Sequence, residues 1–232
     1  PLDPKNLVDL QKFTVDKAAD LGIAFDGDAD RCFIVDEKGE AVSPSTVCAM
    51  IAERYLDENP GATIIHNLIT SKSVRELVET KGGKPVRTRV GHSFIKAQMA
   101  KEGAVFGGEH SAHYYFSDFF NADSGMLAAL HVLATLGGQD KPLSELKRAY
   151  ETNRASGEIN SEVADQAGRT EAVVEAFADR SVSVDRLDGV TIELQDGSWL
   201  NVRASNTEPL LRLNVEARTD EGVQAIVDEA PV

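Results

Sequence analysis

Cysteine is scarce. The 232 residues contain two, Cys32 and Cys48, each in an apolar context and neither placed at metal-ligand spacing. That excludes a disulfide framework and a cysteine-based metal module, and predicts two buried thiols in a reducing compartment, the cytoplasm. No apolar run approaches the roughly 20 residues needed to span a bilayer, and no secretory leader pattern is present. The chain opens on Pro1 rather than Met, so its natural start is expected upstream. Positive charge is also in short supply, with 24 Lys and Arg against 38 Asp and Glu and a net charge of -14. Such a surface repels nucleic acid and anionic lipid, and neither is expected as a partner. It repels phosphorylated small molecules too, unless a local cluster of basic groups overcomes the field.

Hydrophobic residues make up 42% and charged residues 27%, a globular composition with enough apolar material for a core. Alternating apolar segments predict helices over 6–20, 44–56, 71–81, 93–102, 123–136 and 143–150. Strands are predicted over 21–25, 31–35, 62–66, 85–89 and 105–106. This β/α alternation implies an α/β fold, an open mixed or mostly parallel sheet with helices on both faces. Beyond about residue 152 the pattern changes to strands over 154–163, 182–202 and 211–217 with helices over 170–177 and 220–228. That is an α+β domain with an antiparallel sheet. The expected divisions are 1–40, 41–152 and 153–232.

Three loops carry chemistry. Asp26-Gly27-Asp28-Ala29-Asp30-Arg31 follows a buried strand. Alternating carboxylates can direct their oxygens at one centre, the donor set that a hard divalent cation such as Mg²⁺ requires. With Glu37 they also fall at calcium EF-hand positions, but Arg31 stands where that loop needs Gly, and the flanks read as strands. Arg31 beside the carboxylates suits a site that handles phosphate as well as metal. Gly107-Gly108-Glu109-His110-Ser111-Ala112-His113 combines a carboxylate, a hydroxyl and two imidazoles. Glu109 and Ser111 suit sugar hydroxyls, and His113 suits proton donation or a phosphate contact. Zinc held by His110 and His113 would need a helix that this segment does not resemble. In Arg203-Ala204-Ser205-Asn206-Thr207-Glu208-Pro209, small polar residues leave backbone N–H groups available to curl round an anion, and Arg203 and Arg212 bracket the loop with positive charge. A fourth segment, 87–93, leads into a helix whose N-terminus is a weaker anion candidate.

In this order and spacing, the three loops resemble the metal-, sugar- and phosphate-binding loops of the α-D-phosphohexomutase family, which interconverts hexose 1-phosphates and 6-phosphates. The resemblance covers essentially the whole chain and implies the end of that family's second domain, then its third and fourth. It implies Mg²⁺ on Asp26, Asp28 and Asp30, with Arg31 steadying the transferring phosphoryl group. Glu109 and Ser111 would grip sugar hydroxyls, with His113 near the reacting oxygen. Arg203, Ser205, Asn206, Thr207 and Arg212 would hold the phosphate that is not reacting. A phosphohexose, either mannose or glucose phosphate, and a hexose 1,6-bisphosphate intermediate are the implied ligands. The family's nucleophile, a phosphoserine in its first domain, has no matching loop here, so this chain alone is expected to be inactive. Phosphomannomutase is the expected branch; phosphoglucomutase and a non-catalytic phosphosugar-binding protein are the alternatives. Ala112 stands where the family commonly has Gly, a change expected to be tolerated if φ there is negative.

Overall fold

The computed structural model describes residues 4–205 and 208–232, in two units, Pro1–Thr152 and Asn153–Val232. The first unit begins with a 3₁₀ turn, Pro4–Leu7, and helix α1, Val8–Asp16. This is shorter than the helix expected over 6–20, and its apolar positions divide: Leu7, just before it, and Leu10 pack into the core, whereas Val8, Phe13 and Val15 are exposed. Strands β1 (Leu21–Phe25) and β2 (Cys32–Asp36) pair antiparallel, Phe25 opposite Cys32, so that the acidic loop is the hairpin connection between them. A short β3 (Ala41–Val42) completes a three-stranded sheet.

Ser43 then caps α2 (Pro44–Glu58), accepting from the Ser45 N–H with Pro44 at the first helical position, the residue pair that such a start favours. The chain continues through β4 (Thr63–Asn67), α3 (Lys72–Thr80), β5 (Lys84–Thr88), α4 (His92–Glu102) and β6 (Phe106–Gly108). After these come β7 (Tyr114–Phe116), β8 (Ala122–Asp123), α5 (Gly125–Gly137) and α6 (Leu143–Leu146). The sheet order is β5-β4-β6-β7-β8. Its parallel part ends at β6, because β7 and β8 return antiparallel. The aromatic run Tyr114-Tyr115-Phe116, too short to be read as an element, is a fully buried strand. Both cysteines are free and buried as expected, and Cys48 lies so close to β6 that a Cβ on Gly108 would come within 2.3 Å of its sulfur.

The β2–β3 hairpin is tied to the α6 region by ion pairs and hydrogen bonds. Lys147 Nζ lies 2.8 Å from Asp36 Oδ2 and 3.1 Å from Glu40 Oε2. The Ser144 hydroxyl and N–H both donate to Glu37.

The second unit consists of β9 (Arg154–Glu162), α7 (Gln166–Ala176), β10 (Ser181–Asp185), β11 (Val190–Leu194), β12 (Trp199–Ala204), β13 (Leu210–Ala217) and α8 (Asp220–Glu229). The predicted stretch 182–202 resolves into three strands, and α7 starts earlier than expected because Asp165 caps it through the Gly168 N–H. The sheet is antiparallel throughout, in the order β10-β11-β12-β13-β9. Side chains alternate between its faces. Leu200, Val202, Leu211, Leu213 and Val215 form the core with Val173 of α7, Phe177 at its C-terminal cap, and Val223 and Ile226 of α8. Asn201, Arg203, Arg212 and Asn214 occupy the opposite face. Among the described residues, no helix is long and apolar enough to cross a membrane.

Candidate functional site

The acidic loop turns tightly between β1 and β2. Ala29 N–H donates to Asp26 O at 3.3 Å, and Ala29 takes a left-handed φ of 61°. Strands on both sides exclude the EF-hand reading, which needs helices. One oxygen of each of Asp26, Asp28 and Asp30 lies within 4.8 Å of the others. Asp26 accepts from the Arg31 N–H at 3.1 Å and from Arg31 Nε at 2.6 Å. Burial alone would raise its pKa, but those hydrogen bonds and the guanidinium charge outweigh burial and hold it below the usual carboxylate range. Arg31 is thus anchored through Nε to the loop it follows, with its side chain one-third exposed.

Asp30 is the unsatisfied member. Its Oδ1 is buried and has no hydrogen-bond partner among the described residues. The nearest cationic nitrogens are His113 Nε2 at 3.6 Å and Arg31 Nε at 3.8 Å. Burial pushes its pKa up; His113 opposes that, while the charges of Asp26, Asp28 and Asp123 add to it. An orphaned carboxylate oxygen among like charges fits a hard cation.

The second loop is joined to the first through the backbone. Arg31 and His113 form an antiparallel bridge, and Cys32 N–H donates to Ala112 O at 3.2 Å. Helix α5 closes the other side, with Gly125 N–H donating to Ala29 O at 3.1 Å. That approach requires glycine: a Cβ at 125 would lie 2.5 Å from Arg31 O and 2.8 Å from Ala29 O. Ala112 does not meet the condition under which its side chain is free of cost. Its φ is +70°, not negative, so its Cβ carries a cost of about 1 kcal/mol or more.

The loop side chains divide their tasks. Glu109 is 2% exposed. Its Oε1 accepts from Gly91 N–H at 3.0 Å and Asn67 Nδ2 at 3.3 Å, and its Oε2 from the Tyr115 hydroxyl at 2.8 Å. Most of its accepting capacity therefore ties the loop to β4, β7 and the start of α4, and little remains for a sugar hydroxyl. Ser111 Oγ lies 3.0 Å from His113 Nδ1, leaving Nε2 as the ring nitrogen nearest Asp30. His110 turns elsewhere, its Nδ1 at 3.0 Å from Ser45 Oγ, so the two histidines do not converge on one metal.

Sequence reasoning missed what the fold adds here. His92, first residue of α4, stacks edge-on to His113 with ring centroids 5.2 Å apart. Asp123, at the end of β8, receives Lys96 Nζ at 2.8 Å. Ligand atoms of His92, His113 and Asp123 lie within 4.8 Å of one another. The 87–93 segment was legible as a helix start; Lys96 and Asp123 carried no motif.

In the second unit, Arg203 and Arg212 are directly opposite each other on β12 and β13. Ser205 N–H donates to Leu210 O at 2.8 Å, closing the loop they bracket. Asn206 and Thr207 lie outside the described residues. Glu158 of β9 faces both arginines, at 3.8 Å from Arg203 and 3.6 Å from Arg212.

Three family profiles match the chain: phosphoglucomutase/phosphomannomutase α/β/α domain II at residues 1–39, α/β/α domain III at 43–153, and the C-terminal domain at 158–230. The chain belongs to the α-D-phosphohexomutase family. It is similar to a phosphomannomutase of Escherichia coli strain K12, 44% identical over 221 residues, covering 95% of this chain and 48% of that protein. It is also similar to a phosphomannomutase of Methanocaldococcus jannaschii, 41% identical over 210 residues, covering 90% and 46%. Among solved structures, a phosphoglucomutase/phosphomannomutase family protein from Burkholderia thailandensis superposes with a TM-score of 0.87 at 31% identity, covering 97% of this chain and 48% of that one. This phosphohexomutase chain thus spans about half the length of the curated relatives it matches.

Proposed function

We propose that this chain supplies the metal-, sugar- and phosphate-binding parts of a phosphomannomutase, which interconverts mannose 1-phosphate and mannose 6-phosphate through a hexose 1,6-bisphosphate. The observation that carries the reading is the junction of the first two loops. The orphaned Asp30 oxygen, the His113 ring and the Arg31 backbone are held together by the bridge and by the Cys32–Ala112 hydrogen bond.

Asp26, Asp28 and Asp30 would hold Mg²⁺. That ion supplies charge neutralisation for a phosphoryl group in transfer. Arg31 holds phosphoryl oxygens from beside the carboxylates. His113, with Nδ1 against the Ser111 hydroxyl, presents Nε2 to donate or accept a proton at the sugar oxygen that gains or loses phosphate. Ser111 orients that ring, and Glu109 fixes the loop while offering what remains of its accepting capacity to a hydroxyl. Arg203 and Arg212, with Ser205, Asn206 and Thr207, hold the phosphate that is not reacting. Anchoring one phosphate orients the other end of the sugar, so the same machinery serves both ends.

Titration calorimetry with Mg²⁺ tests this. The wild-type chain is expected to bind Mg²⁺, and Asp30→Asn is expected to weaken binding at least tenfold. Equal affinity in the two proteins would overturn the metal assignment.

A further inference from the structure

The phosphate-loop arginines pose an electrostatic problem within the second unit. Arg203 and Arg212 are a directly opposed cross-strand pair, and like charges so placed repel. Both belong to the polar face of the sheet, with Asn160 continuing their row and Asn201, Asn214 and Glu158 forming the next. Glu158 answers the charge but not the hydrogen bonding. One carboxylate oxygen lies 3.8 Å from Arg203 Nη2 and the other 3.6 Å from Arg212 Nη1. Both distances are too long for hydrogen bonds. Nε of Arg203 and Nε of Arg212 are buried without a hydrogen-bond partner among the described residues, and so is Nδ2 of Asn214, which is 6% exposed. The row therefore presents half-offset positive charge and unused donors.

We propose that Glu158 is a resident counter-ion that competes with the substrate's phosphate for Arg203 and Arg212, and so keeps phosphate binding weak and exchangeable. This rests on the reading of the Arg203 loop as the grip on the non-reacting phosphate. A phosphate dianion supplies both the charge and the acceptors that Glu158 leaves short, so it displaces the carboxylate's influence when it binds. When the phosphate leaves, Glu158 again offsets one of the two guanidinium charges, which lowers the cost of baring them. A bisphosphate intermediate that must exchange one phosphate for the other at this loop needs such release. Removing the carboxylate's charge should therefore tighten phosphate binding, the opposite of what losing a structural contact would do.

The test is calorimetric titration of the whole chain with inorganic phosphate and with mannose 1-phosphate, comparing wild type, Glu158→Gln, Glu158→Asp and Arg203→Ala. Glu175→Gln, an exposed change on α7 across the sheet, controls for net charge. Glu158→Gln is expected to bind phosphate roughly 5- to 20-fold more tightly at low ionic strength, with the gain shrinking as salt is raised. Glu158→Asp, with its carboxylate drawn back, should fall between, and Glu175→Gln should match wild type. If wild type binds phosphate, Arg203→Ala loses it, and both Glu158 variants bind no more tightly than wild type, the counter-ion role is wrong while the loop assignment stands. If neither wild type nor Glu158→Gln binds phosphate, both are overturned.

Discussion

Lys147→Met is the substitution whose cost the structure states most clearly. The Lys147 ammonium is buried, with its side chain 8% exposed, and lies 2.8 Å from Asp36 Oδ2, whose side chain is fully buried. Asp36 Oδ1 accepts from the N–H groups of Lys38 and Glu40, and Lys147 is its ion-pair partner among the described residues. Removing Lys147 leaves a buried, uncompensated carboxylate, for which about 3–5 kcal/mol is the usual cost. Asp36→Asn should cost less, because Glu40 remains beside the ammonium. The double variant should recover much of the loss, since removing both charges removes the desolvation problem. The assay is scanning calorimetry supported by urea unfolding followed by circular dichroism. The chain's single tryptophan, Trp199, lies in the second unit, so its fluorescence would not follow the change. At roughly 2–4 °C per kcal/mol for a unit of this size, the transition of the first unit should fall by about 6–20 °C. A Lys147→Met protein within about 1 kcal/mol of wild type, or a double variant costing the sum of the singles, would mean that the Asp36 carboxylate does not depend on Lys147.

Other perturbations have equally definite outcomes. Gly125→Ala places a Cβ against the carbonyls of Arg31 and Ala29, so it should destabilise the first unit by about 1–3 kcal/mol and weaken Mg²⁺ binding measured on the same protein. Ala112→Gly relieves a left-handed residue, worth about 1–2 kcal/mol. It also gives up a buried methyl worth about 0.8 kcal/mol and adds unfolded-state freedom worth about 0.4–1 kcal/mol, so urea unfolding should show a change within about 1 kcal/mol of zero. Burial pushes the thiols of Cys32 and Cys48 up to about 12, so an aromatic disulfide reagent at pH 8 should label neither until the chain unfolds. Burial pulls His66 down to about 4. The stabilisation from keeping it neutral is complete above its unfolded value of about 6.5 and is lost as pH falls towards 4. His66→Gln should flatten that slope in unfolding measured between those limits.

The sequence made the three loops legible because each packs its chemistry into a few consecutive residues. The helix start at Ser43-Pro44 and the strand before the acidic loop were legible for the same local reason. Elements whose existence depends on distant partners were not. Tyr114-Tyr115-Phe116 is a strand only because β6 and β8 flank it, and of the apolar residues that suggested a buried face on the first helix, Leu7 and Leu10 reach the core while Phe13 and Val15 stay exposed. Glu109 looked like a hydroxyl acceptor, yet Asn67, Gly91 and Tyr115 use most of its accepting capacity. The sign of φ at Ala112 is set by the turn that donates its N–H to Glu109 O, and residue identity alone does not reveal it. Lys96 with Asp123, and Glu158 with the two arginines, are pairings between separate elements, visible only once the sheets are assembled.

On the proposed function, this chain grips a phosphosugar through its last unit and holds Mg²⁺ in its first. Calorimetric titration of wild type and Arg203→Ala with mannose 1-phosphate, each with Mg²⁺ present, tests it most directly. Saturable binding by wild type that Arg203→Ala weakens at least tenfold is the predicted result. Binding that is equal in the two proteins would contradict the assignment of the phosphate grip to the Arg203 loop.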